Sequence, residues 1–159
     1  MQDYTPERWA FEITKLLNTV FGADHFPLDI PTIALEYSRQ AFSTNPLAFV
    51  KGDRLPGFDG ALYPLEGGKS WGIIYNNDIA SQGRINFTLA HEFGHYLLHR
   101  QKYPQGMNCG QQDMVRWDPE YKQIEQQANV FAANLLMPLD DFRRQIPAKS
   151  TPTIDMLSG

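Results

Sequence analysis

Ile85-Asn86-Phe87-Thr88-Leu89-Ala90-His91-Glu92-Phe93-Gly94-His95-Tyr96-Leu97-Leu98-His99 is the stretch whose reading decides the fold. Phe87, Ala90, Phe93, Gly94, Leu97 and Leu98 recur in it with the period of an α-helix, and no proline interrupts them. On a helix, His91 and His95 lie on one face, four positions apart, so their ring nitrogens can converge on one cation at about 2.0–2.1 Å. Glu92 is rotated from His91 by about 100° at 3.6 residues per turn, which sets its carboxylate beside such a cation. The spacing makes the histidines metal ligands and Glu92 a general base toward water.

A catalytic zinc site keeps three protein ligands and one open position, so a third ligand must come from elsewhere. Metzincins place it ten residues after the first histidine, where this chain has Gln101, and that class is rejected. His99 is on the same side of the helix but about a turn too far along. It reads as a C-terminal histidine favoured by the helix dipole, with a role behind the ligands or toward substrate as the second reading.

Further on, Ile124, Ala128, Phe131, Ala132 and Leu135 mark the inward face of a helix from about Pro119 to Leu136, closed by Pro138. Glu125 shares a face with Ala128, Asn129, Ala132 and Leu136, where a lone carboxylate needs a partner, and a metal is one. Ala128 and Ala132 allow a close helix approach, and Asn129 can orient a ligand by hydrogen bonding. On the residues alone, a solvated surface carboxylate is the plainer reading of Glu125.

Upstream, Trp9, Ile13, Leu16, Leu17 and Val20 predict an amphipathic helix over about Pro6 to Phe21, with Thr5 as N-cap and Gly22 as its stop. After Asp24-His25-Phe26-Pro27, a shorter helix opens at Asp29 and Pro31 and carries Ile33, Ala34, Leu35 and Tyr37. Three β-prone runs follow, Leu47-Val50, Gly60-Tyr63 and Trp71-Tyr75. They are separated by the turn candidates Leu55-Pro56-Gly57 and Glu66-Gly67-Gly68-Lys69. They make a small mixed or antiparallel sheet on which the helices pack, an α+β fold with the two-histidine helix at its centre.

Gln101 to Asp118 reads as a long polar connection broken by Pro104, Gly106 and Gly110. Cys109 and Asp113 within it could reach over the metal and block its open position, though an inert free cysteine is the plainer reading. Trp117 and Tyr121 read as packing before substrate contacts. A short amphipathic turn runs from Leu139 to Arg144. Thr153-Ile154-Asp155-Met156-Leu157 reads as the opening of a further element cut short at Gly159.

At 159 residues the expectation is one domain, and 42% hydrophobic residues against 20% charged suffice for a core. A net charge of −4 leaves no positive field for nucleic acid or an anionic membrane, so no direct contact with either is expected. No secretory signal precedes the first helix, no apolar run approaches a membrane span, and the single Cys109 makes no internal disulfide. These observations point to the cytoplasm.

The motif Arg84-x-x-Phe87-Thr88-Leu89-Ala90-His91-Glu92-Phe93-Gly94-His95-Tyr96-Leu97-Leu98-His99, with Glu125-x-x-Ala128-Asn129-x-Phe131-Ala132-Ala133-x-Leu135-Leu136-Met137-Pro138, resembles the ImmA/IrrE family of metallopeptidases. The resemblance is specific from Arg84 to Pro138 and diffuse before it. It implies a zincin-like fold, zinc held by His91, His95 and Glu125, and Glu92 as the catalytic carboxylate. It further implies a protein substrate, a helix-turn-helix repressor whose cleavage derepresses mobile-element or damage-response genes. Two departures stand out: Gln127 where many relatives carry glutamate, and no length for their additional regions. Manganese or iron would suit the same donors. The rival reading is a non-catalytic regulator that sequesters a repressor or toxin. Trp71-Tyr75 is the candidate strand for docking an extended peptide.

Overall fold

The computed structural model describes residues 4–21, 29–79, 81–109 and 119–136. The side chain of Cys109, together with Asp24–Pro27, Asp113, Trp117, Pro138 and the expected elements beyond it, lies outside the described residues.

Helix α1 spans Pro6–Phe21 and opens on Thr5, whose hydroxyl accepts from the Arg8 amide at 3.1 Å. Its buried stripe is Trp9, Ala10, Ile13 and Leu17. Leu16 departs from expectation: it sits at the margin of that stripe and is 43% exposed. Helix α2 spans Ile30–Ala41, with Asp29 as N-cap and Pro31 in the first turn. At its far end the buried Ser38 hydroxyl accepts from the Leu47 amide at 2.9 Å, tying α2 to the first strand.

Strands β1 (Leu47–Asp53), β2 (Gly60–Leu65) and β3 (Ser70–Asn76) occupy the three β-prone runs. A fourth, β4 (Met107–Cys109), completes the order β1-β3-β2-β4. β1 runs parallel to β3, while β2 is antiparallel to both β3 and β4, so the sheet is mixed. Two expectations need correction. Part of the polar connection is a strand, held by burial of Met107 against Tyr121 and Ile124. Gly106 admits the chain to it: φ is 96°, and a Cβ would stand 2.6 Å from the Leu62 carbonyl oxygen. The run Trp71-Tyr75 is interior, paired on both sides, and has no edge to offer a peptide.

Helix α3 spans Gln82–His99, with the Ser81 hydroxyl accepting from the Arg84 amide. Every residue from Thr88 to Leu97 is buried, because α1, α2, α4 and the sheet surround it. An aromatic chain joins the helices: Trp9 meets Tyr37, Tyr37 meets Phe93, and Phe93 meets Phe131 edge-on, at centroid separations of 6.4, 6.4 and 5.7 Å. Each fully buried ring contributes about 1.5–3 kcal/mol. Helix α4 spans Pro119–Leu136 and buries Ile124, Ala128, Phe131, Ala132 and Leu135, the face its period marks. Gly94 lets α4 settle on α3: a Cβ there would stand 2.9 Å from Phe131 Cδ2. This is an α+β fold of zincin type with the two-histidine helix at its centre.

Candidate metal centre

His91 and His95 project from α3 toward α4, where Ala128 and Ala132 leave room for close approach. Their Nε2 atoms are 3.0 Å apart. Glu125 Oε1 comes in from α4, 2.6 Å from His95 Nε2 and 3.5 Å from His91 Nε2. The donor atoms of this triad lie within 4.8 Å of one another, the described residues' one such group. A tetrahedral ion at 2.0–2.1 Å would hold its donors about 3.3–3.4 Å apart. The His91–Glu125 pair at 3.5 Å is near that separation, while the other two, at 3.0 and 2.6 Å, would have to open for the ion to enter. Two imidazoles and a carboxylate facing one point are a donor set that fits a divalent metal.

Glu125 thus departs from the plainer reading, a solvated carboxylate. Its pKa shows the same: burial pushes it up, but hydrogen bonds with His91 and His95 and their charges hold it well below the usual range. Burial pushes His95 down to about 4, against the pull of Glu125. For His91 burial also pushes downward, but the hydrogen bond with Glu125 and the negative charges of Glu92 and Glu125 outweigh it, and the net shift is upward. The two histidines are therefore shifted in opposite directions.

The orienting groups lie behind the ligands. Asn129 Oδ1 is 2.8 Å from His91 Nδ1, and an oxygen accepts, so in the neutral ring Nδ1 carries the proton and Nε2 the lone pair that a metal would take. His95 Nδ1 lies 2.9 Å from His99 Nδ1, and His99 Nε2 lies 2.8 Å from Gln127 Oε1. His99 is 4% exposed and burial lowers its pKa, so it is no solvated cation at a helix end. The signal was available in its spacing: four residues after His95, it lies behind that ring on the same side of α3.

Glu92 is fully buried beside the ligands on α3. Strand β2 approaches it through Gly60, where a Cβ would stand 2.9 Å from Glu92 Oε2 and 2.9 Å from Thr88 Cγ2. No sequence pattern singled out Gly60; only the crossing of β2 over α3 makes its missing side chain necessary. Phe87 is 37% exposed one turn before His91, with its ring centroid 6.5 Å from the imidazole. Tyr121 is core, as expected.

A carboxylate beside a triad of metal donors, next to an edge-bearing sheet, can activate water against a bound carbonyl. Among the described residues no helix is long and apolar enough to cross a membrane. The profile of the Peptidase M78 family, described as the IrrE N-terminal-like domain, matches residues 50–152. No curated protein matches the chain.

Proposed function

The chain belongs to the Peptidase M78 family, the IrrE N-terminal-like domain, and on that premise we propose that it is a zinc-dependent endopeptidase cutting a regulatory protein, specifically a helix-turn-helix transcriptional repressor. The observation that carries the activity is the intact Glu92 beside the convergent His91, His95 and Glu125. A scaffold that only bound a partner would have no use for a carboxylate there. The repressor rests on the family resemblance of the motifs, and a cytoplasmic setting goes with it.

A divalent ion supplies, when bound, the Lewis acidity that brings the pKa of water to about 7 and polarises a carbonyl. His91, His95 and Glu125 would hold it. Glu92 takes a proton from the attacking water and returns it to the leaving amine. Substrate pairs by its main chain with an edge strand. β4 is the edge nearest the site, since Cys109 pairs with Gly60 and Gly60 abuts Glu92. Phe87 offers an apolar contact to a substrate side chain beside His91.

Glu92→Gln protein, used as a trap, should retain its partner, and active enzyme should then generate a new N-terminus on that partner. A partner bound and released with no new N-terminus would replace the endopeptidase with the sequestering regulator.

A further inference from the structure

We propose that His99 and Gln127 form a two-link relay that sets the tautomer of His95 and so determines how well its Nε2 binds a metal. The inference rests on the metal-site reading above. Two ring nitrogens 2.9 Å apart, His95 Nδ1 and His99 Nδ1, share one proton: one is N–H and the other a lone pair. The far side of His99 decides which. In the structure Gln127 turns its oxygen toward His99 Nε2 at 2.8 Å, and an oxygen accepts. The proton of neutral His99 then sits on Nε2, its Nδ1 accepts from His95 Nδ1–H, and His95 keeps the lone pair on Nε2. That atom faces Glu125 Oε1 and His91 Nε2 across the metal position.

The terminal group matters because a carboxamide has two ends. Turned over, its NH2 would donate to His99 Nε2, and every proton in the chain would shift to the opposite nitrogen. His95 would then carry its proton on Nε2, donating to Glu125, the arrangement suited to the metal-free site. Gln127 can therefore serve both states by rotating, whereas a carboxylate serves only the metal-binding one. His91 has a shorter arrangement, a single bond to Asn129. Residues that orient a ligand from behind typically contribute about 10- to 100-fold in metal affinity. His99 and Gln127 are positioning residues in this sense.

The test measures zinc affinity by chelator competition, beside the melting temperature of the metal-free protein and the ¹⁵N shifts of the histidine rings. Gln127→Leu should weaken zinc about 10- to 100-fold with little change in metal-free melting. Gln127→Glu should bind zinc as tightly as the original or tighter, because it restores the acceptor. In the zinc-loaded original, His99 should show a protonated Nε2 and a bare Nδ1, and Gln127→Leu should mix the two tautomers. Unchanged affinity in Gln127→Leu would overturn the relay. So would an equal loss in Gln127→Leu and Gln127→Glu, which would make side-chain shape, not the acceptor, the cause. If the original chain binds no zinc at all, the metal-site reading fails and takes the relay with it.

Discussion

Gly94 of α3 lies directly against Phe131 of α4, so close that a Cβ on the glycine would stand 2.9 Å from Cδ2 and 3.3 Å from Cγ of the ring. Phe131 is fully buried, so the ring could yield only by disturbing a packed core. Glu125 and Asn129 ride on the same helix, so the spacing of α3 and α4 sets the distance from Glu125 to His95. Gly94→Ala should cost about 1–3 kcal/mol by overpacking and weaken zinc at the same time. Thermal unfolding and chelator competition on one sample check both; a destabilised protein with unchanged zinc affinity would show that α4 moves without carrying the ligands.

Glu92→Gln should keep the fold and bind zinc in the original stoichiometry while cleaving about 10²–10⁴-fold more slowly, the contribution of a positioned general base. Glu125→Ala or His95→Ala should lose the metal itself. Metal content by mass spectrometry beside a cleavage assay separates the two classes. Undiminished turnover by Glu92→Gln would remove the base assignment.

Gly60→Ala probes the same carboxylate from the other side. The added methyl would meet Glu92 Oε2 and Thr88 Cγ2, and β2 is held in register by β3 and β4, so the carboxylate is the group that must shift. Turnover should fall tenfold or more, since about 1.4 kcal/mol in the barrier is tenfold in rate. Zinc affinity should hold, because the atoms nearest the added methyl belong to Glu92 and Thr88 and not to the three ligands. Equal losses of zinc and activity would mean that the strand has displaced α3 as a whole.

Much of this arrangement was legible in the sequence because its determinants are local. Thr5 and Asp29 start their helices through hydrogen bonds that span three residues, and the inward face of α4 follows from its period alone. His91, Glu92 and His95 share one helix, so their relation is fixed by helical geometry. What could not be read is set by elements that meet only in the folded chain. β4 is three residues long and is held by Met107 packing on Tyr121 and Ile124. The interior place of β3 depends on strand order, which no segment of the strand encodes. Gln127 meets His99 across 28 residues, and nothing in either neighbourhood announces it. Glu125 stood between these cases: its spacing to Asn129 was visible, but its burial depends on the closeness of α3.

The opposite shifts of the two histidines should be measurable as protons released when zinc binds. Ligating imidazoles must be neutral, so any proton a ligand carries beforehand is expelled. At pH 6, His91 should carry one, because its folded-state pKa is raised above 6.5 by Glu125 and Glu92. His95, lowered to about 4, should carry none, and Glu125 is already ionised. Zinc binding at pH 6 should therefore release about one proton, and apparent affinity should climb about tenfold per pH unit until His91 has titrated, then flatten. Calorimetry at pH 6 in two buffers of different ionisation enthalpy reads the number directly. Release of two protons would put His95 above pH 6, and release of none would put His91 below it; either contradicts the asymmetry. Because the Glu92 charge is part of what holds the His91 proton, Glu92→Gln should release fewer protons at the same pH while still binding the metal.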